Sequence, residues 1–263
     1  MTNERGGATI RGEDSNYDAK GERKMKILSI GNSFSQDAQR YLYKLAKKAG
    51  DDFKTVNLDI GGCTLRMHYL NVLEDKANYA FEYNGDYPGL LVSIKQLLLS
   101  DEWDVVTLQQ ASHLSAHYDS YTPYMENLVE YIKKYCPHAK IYMHQTWAYE
   151  DGTDRLREVG KFDSADEMFY NIREAYAKAA QAISADGIIP CGQAMFNATK
   201  MGMEKVHRDT FHASLGAGRY LLALTWYKAL TGKDITDNDF DDFDEPVSDE
   251  ERKIVIKAVN AAF

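Results

Sequence analysis

The sequence is poor in the features that a disulfide scaffold, a nucleic-acid binder or a membrane protein would need. Its 263 residues include only three cysteines, Cys63, Cys136 and Cys191. An odd number this small makes no disulfide framework, and the apolar contexts predict buried free thiols. Basic side chains are in the minority, 31 against 40 acidic, for a formal net charge of −9. That balance lacks the cationic footprint of a nucleic-acid or anionic-membrane binder. No apolar run approaches the roughly 20 residues of a membrane span. Nucleotide signatures are missing as well: the first strand–helix loop has one glycine, Gly31, in place of Gly-x-Gly-x-x-Gly, and no phosphate-loop Gly-Lys-Ser/Thr follows it. Residues 1–24 are polar, with five basic and five acidic side chains and no apolar core of a secretory signal. They are expected to form a mobile extension before one folded domain at 25–263, in a cytoplasmic protein.

What is present is an ordinary globular composition, 44% hydrophobic and 12% aromatic. Short apolar runs at 25–30, 55–60, 104–109, 140–144 and 187–191 alternate with helical patterns at 36–49, 121–135, 163–185, 215–230 and 249–262. Runs of this kind suit strands covered on both faces. Strand–helix repetition implies parallel pairing with right-handed crossovers. The expected fold is therefore a three-layer α/β/α domain around a five-stranded parallel sheet in the flavodoxin-like order 2-1-3-4-5. Residues 63–102 form a long insert, with a tight turn expected at Asn84-Gly85. The acidic stretch 237–251 lacks the glycine and ligand spacing of a calcium loop and reads as a solvated connector.

Ligands of open parallel sheets bind at the carboxyl ends of the strands. The segments there carry complementary chemistry. Ser33, between a strand and a helix, has an exposed hydroxyl next to free helix N–H groups, which suits a nucleophile whose attack creates an oxyanion; it equally suits a turn or N-cap serine. Asp209 and His212, three apart at a helix entry, can share a face, so that the carboxylate fixes the Nδ1–H tautomer and leaves Nε2 to take a proton. Gly62 offers an unobstructed N–H, or simply completes a Gly-Gly turn. Gln109 ends an apolar strand with an amide, and Gln110 competes with it because a one-residue slip exchanges the faces.

Gly31-Asn32-Ser33-Phe34-Ser35, the glycine after the second strand, the amide after the third and Asp209-x-x-His212 together resemble the SGNH (GDSL-like) hydrolases, over most of residues 25–232. Within them the chain is most similar to a branch described only as a domain of unknown function. The resemblance implies a serine esterase fold with Ser33 as nucleophile, His212 as base and Asp209 as its partner. The oxyanion hole would be formed by the N–H groups of Ser33 and Gly62 and a side-chain amide. Two positions depart from the family pattern: Asn32 stands for the usual aspartate, and glutamine replaces the Gly-x-Asn-Asp block. Carbohydrate acetylesterases of the superfamily also use glutamine there, which favours a sugar ester.

Other residues near the strand ends are expected to touch substrate: His113, His68, Trp147 as a stacking surface, and Gln110. His113 and His117 have the spacing of a zinc helix but no accompanying glutamate and no third ligand, so no metal is expected. The expected activity is hydrolysis of a small acyl ester, acetyl above all, on a small molecule or carbohydrate, without a cofactor. Transfer of the acyl group to a sugar hydroxyl by the same residues, and non-catalytic carbohydrate binding on the same scaffold, are the alternatives.

Overall fold

The run MKILSIG forms the central strand β1 (Met25–Gly31), whose Ile27, Leu28 and Ile30 are buried from both faces of the sheet. The computed structural model describes residues 24–263; apart from Lys24, the extension expected at 1–24 lies outside them. β1 pairs in parallel with β2 (Phe53–Asp59) on one side and with β5 (Val105–Leu108) on the other. Beyond β5 come β6 (Lys140–His144) and β7 (Gly187–Ile189), also parallel. These strands have the expected doubly wound order.

The expected count of five strands is corrected to seven among the described residues. The insert supplies β3 (Tyr79–Tyr83) and β4 (Leu91–Val92), which extend the sheet antiparallel beyond β2 to give the order β4-β3-β2-β1-β5-β6-β7. Their chain reverses at Asn84-Gly85, with φ of 52° and 86°, as a two-residue hairpin turn requires. The pair is too short and too mixed in polarity to announce itself by alternation.

One further expectation is corrected. The single helix at 36–49 is two, α1 (Ser33–Gln39) and α2 (Leu42–Lys48), broken at Arg40-Tyr41. Arg40 and Tyr41 leave the helical ladder to serve other partners: Arg40 binds Asp244 and the Gly85 carbonyl, and the Tyr41 hydroxyl accepts from the Asp244 N–H. The apolar period at Leu42, Leu45 and Ala46 runs past such a break undisturbed. The acidic stretch 237–251 leads, mostly exposed, into α9 and makes ion pairs to these helices through Lys44–Asp242 (2.7 Å), Lys48–Asp241 (2.7 Å) and Arg40–Asp244 (2.8 Å).

Helices cover both faces. α1, α2, α7 (Cys191–Lys200), α8 (Ala217–Thr231) and α9 (Asp249–Asn260) pack together on one. α3 (Leu65–Leu73), α4 (Ile94–Ser100) and α5 (Tyr124–Tyr135) associate on the other, and α6 (Ala165–Ala182) runs along β6 and β7. α8 is buried around most of its circumference, as its nearly all-apolar sequence requires.

One buried charge ties this frame together. Asp37 lies on α1 with no side-chain exposure. Its carboxylate accepts from Arg208 Nη1 at 2.9 and 2.8 Å, from Arg219 Nε at 2.9 Å and from the Ala213 N–H at 3.2 Å. Arg208 and Ala213 flank His212, so the carboxylate fastens the helix of Ser33 to the loop of His212. Removing one partner of a buried ion pair typically costs about 3–5 kcal/mol, because the other charge stays buried and unmatched. Asp37→Asn is expected to lower the urea unfolding free energy by about that much; a loss below about 1 kcal/mol would contradict the clamp.

Candidate active site

The first turn of α1 is organised by Asn32 rather than by Ser33. Asn32 is extended and caps the helix: its Oδ1 accepts from the Phe34 N–H at 3.0 Å, and its Nδ2 donates to the Cys63 carbonyl at 3.2 Å. With the capping done next door, the Ser33 hydroxyl is left free for another use. It lies 2.8 Å from His212 Nε2. The choice between N-cap serine and exposed hydroxyl is thereby decided by geometry.

His212 sits in a loop before α8, not in the helix entry expected from the sequence. An isolated antiparallel bridge, His207 to Ala213, closes the base of that loop. Asp209 spans it from within: Oδ1 accepts from the His212 N–H at 2.9 Å and Oδ2 from Nδ1 at 2.8 Å. A carboxylate can only accept here, so Nδ1 carries the proton and Nε2 of the neutral ring faces the serine with its lone pair. Burial works against the charged Asp209 carboxylate, but the side-chain and backbone bonds from His212 outweigh it and hold the carboxyl below its usual range. Thr210 adopts φ of 74° between the two. A β-branched residue there stores on the order of 1–3 kcal/mol of backbone strain. The loop is pinned against that strain by the Trp147 indole N–H to the Phe211 carbonyl (2.8 Å) and the Glu150 N–H to the Thr210 carbonyl (2.8 Å).

Three donors stand at neighbouring strand ends. The N–H of Ser33 and that of Gly62 make no hydrogen bond to any described residue. Gly62 has φ of 65°, suited to glycine, and is exposed. Gln109 is buried, with Oε1 2.6 Å from His144 Nδ1 and Nε2 2.6 Å from Asn32 Oδ1. An amide oxygen only accepts, so His144 must be the donor, and this fixes the Gln109 NH2 on the Asn32 side. One of its two N–H bonds remains uncommitted. Burial lowers the His144 pKa to about 3, which keeps the ring a neutral donor.

The remaining candidates are placed differently from expectation. Gln110 is saturated: Oε1 accepts from the Leu65 and Ala111 N–H groups, and Nε2 donates to the Ser120 carbonyl and hydroxyl. It braces loops and has no group left for a substrate. His68 is fully buried, beside the Tyr79 hydroxyl (2.9 Å), with its pKa lowered by burial to about 3. Trp147, 1% exposed, stacks on Phe34 with centroids 4.1 Å apart; its faces serve packing beneath the His212 loop. His113 is exposed, in the loop after β5. Four residues that hold this arrangement, Asn32, Asp37, His144 and Arg208, were not singled out from the sequence. Asn32 alone carried a local signal, an Asn between strand and helix. A cavity of about 690 Å³ opens at the other end of the sheet, lined by Met25, Trp103 and Tyr135 among others. It brings together no nucleophile–base pair, and the chemistry of the chain gathers at the carboxyl ends.

The fold is similar to that of solved SGNH hydrolases and esterases. The chain belongs to the family described as "Domain of unknown function (DUF4886)", whose profile matches residues 26–262. A DUF4886 family protein from Bacteroides uniformis is 34% identical and superposes with a TM-score of 0.83, over 91% of this chain and 94% of that one. The acetylxylan esterase Axe2 from Geobacillus stearothermophilus is 16% identical, with a TM-score of 0.53 over 79% of this chain and 94% of its own. A protein from Slackia heliotrinireducens described as a candidate SGNH hydrolase is 24% identical, with a TM-score of 0.58 over 79% of this chain and all of its own, 100%. No curated protein matches the chain.

A second carboxyl group borders the site. Asp59 closes β2, two residues before Gly61, and its Oδ1 is buried without a partner. Burial, with the nearby charges of Glu82 and Asp37 adding to it, pushes its pKa up to about 7. A carboxyl raised in the fold binds its proton more tightly there than in the unfolded chain, so stability falls as pH rises from about 4 to 7 and levels off above. Asp59→Asn is expected to stabilise the protein at pH 8 by on the order of 1–3 kcal/mol and to make no difference below pH 4. Paired denaturant titrations at the two pH values check this, and a variant less stable at pH 8 would contradict it.

Proposed function

We propose that the protein is a serine ester hydrolase that removes a small acyl group, acetyl above all, from a carbohydrate. The observation that carries this is the 2.8 Å approach of Ser33 Oγ to His212 Nε2, with Asp209 2.8 Å behind Nδ1. A lone serine or an incidental histidine would not give a ring partnered at both nitrogens, by the hydroxyl at Nε2 and by the carboxylate at Nδ1. The acetylxylan esterase among the similar folds supports the choice of acyl group by analogy of fold alone.

In this reading His212 Nε2 takes the Ser33 proton as Oγ bonds to the ester carbonyl carbon. The carbonyl π electrons move to oxygen and give a tetrahedral oxyanion. The N–H groups of Ser33 and Gly62 and the free N–H of Gln109 receive that charge; fixed donors of this kind need no reorganisation as it develops. Collapse breaks the bond to the alcohol, which leaves with the proton from His212. Water then attacks the acyl-serine, again losing its proton to Nε2; collapse breaks the bond from the acyl carbon to Oγ, which takes that proton back from His212 as the acid departs. Asp209 stays ionised and supports the imidazolium that forms twice per turnover. His144 acts only through Gln109, by keeping its amide from rotating.

Ser33→Ala is expected to keep the circular dichroism of the native protein and lose p-nitrophenyl acetate hydrolysis to background. Asp209→Asn is expected to cut kcat by about 10⁴, since it removes the charge behind the imidazolium and the tautomer control. Wild-type turnover in the Ser33 variant would overturn the assignment.

A further inference from the structure

Beside the His212 loop stands a cation that no carboxylate of the described residues neutralises. Arg155 opens a single wide π-type turn, Arg155–Gly160, between β6 and α6. Its guanidinium carbon lies 3.7 Å from the Phe211 ring centroid and 5.4 Å from that of Tyr149. Phe211 in turn lies 3.8 Å, centroid to centroid, from the His212 ring. The cation is therefore one aromatic ring away from the proposed base.

Arg155 makes no ion pair with any described carboxylate, and its sequence neighbour Asp154 is taken by Arg157 at 2.6 Å. Its Nε is buried without a partner, and its guanidinium shares a side-chain hydrogen bond with the Tyr149 hydroxyl, a neutral group. The Tyr149 hydroxyl feels the cation, but burial raises the phenol pKa, so it cannot supply the missing negative charge at neutral pH. Stacking uses the faces of a guanidinium, and one neutral hydroxyl occupies only one of its five in-plane N–H groups, so donors remain for a carboxylate gripped by two parallel hydrogen bonds. A chain of net charge −9 repels anions in general, so an anionic ligand needs a local cation of this sort.

The place of Arg155 says which part of a substrate meets it. The base that returns the proton to the departing alcohol must lie on the alcohol's side of the carbonyl. Arg155 lies beyond that base, across Phe211. Building on the esterase reading, we propose that the alcohol part of the substrate carries a carboxylate, as in an acetylated uronic-acid-type sugar, and that Arg155 is the residue that selects it.

The test compares two acetyl esters with the acetyl group on the same hydroxyl, one of methyl glucuronoside and one of methyl glucoside. The wild type is expected to favour the carboxylate-bearing ester by about 10–100-fold in kcat/KM, chiefly through KM, the range of a charge-assisted pair. In Arg155→Met, which keeps an apolar stem against Phe211, the ratio is expected to fall close to one; in Arg155→Lys it should fall only part of the way. A ratio near one in the wild type overturns the proposal and leaves the esterase reading standing. So does an unchanged ratio in Arg155→Met. Calorimetry with methyl glucuronoside itself separates the two readings in the absence of turnover. Binding that Arg155→Met abolishes upholds the anion site even if neither ester is cleaved, and no binding together with no cleavage overturns both.

Discussion

The Asp37 carboxylate is the contact on which the arrangement of the site depends. Ser33 and His212 are 179 residues apart in sequence, and a single hydrogen bond between a half-exposed hydroxyl and an imidazole is too weak to hold two elements in register. A buried charge, by contrast, must be met wherever the chain brings it, because leaving it unmatched costs several kcal/mol. Asp37 sits one turn along α1 from Ser33 and is met by Arg208 and the Ala213 N–H, on either side of His212. The approach of serine to histidine follows from that match. Arg219 extends it, binding Asp37 through Nε and Asp244 through Nη1 at 2.6 Å, so the acidic strap before α9 is drawn into the same network.

Around this clamp the polar groups are arranged so that each amide has one available orientation. Asn32 caps α1, receives the Gln109 amide and reaches the Cys63 carbonyl beside Gly62. One side chain thus links the segments that follow β1, β2 and β5, where Ser33, Gly62 and Gln109 lie. His144, at the end of β6, completes the row from the far side. Buried neutral networks of this kind are stable only when nearly every member is satisfied. Among the exceptions are the Nε2 atoms of His68 and His144 and Oδ1 of Asp59, all buried without partners.

Much of this was legible in the sequence where local chemistry and strand position coincided. The parallel strands announced themselves as apolar runs, and the turn residues after them marked the carboxyl ends. The spacing of Asp209 and His212 showed that the carboxylate could reach the ring, although the segment proved to be a bridged loop and not a helix. What stayed hidden was set by tertiary contact. The pair β3–β4 is short and has no clean alternation. Asp37 looks like a surface residue of an amphipathic helix until two arginines from the far end of the chain are placed on it. Gln109 and Gln110 differ by one pleat, and only the hydrogen bonds show that Gln110 is spent on Leu65, Ala111 and Ser120 while Gln109 keeps a free donor. Trp147 read as a stacking surface because an aromatic ring after a strand often is one; here Phe34 already covers it.

The central claim is that Ser33 is a nucleophile activated by its neighbours, and covalent trapping tests it without knowledge of the substrate. A fluorophosphonate probe reacts with a serine only when a base removes its proton and fixed donors receive the developing charge. Intact mass and peptide mapping of the labelled protein should show one adduct, on Ser33, absent from the His212→Ala protein. No adduct on the folded wild type, or an adduct on a different residue, would contradict the account.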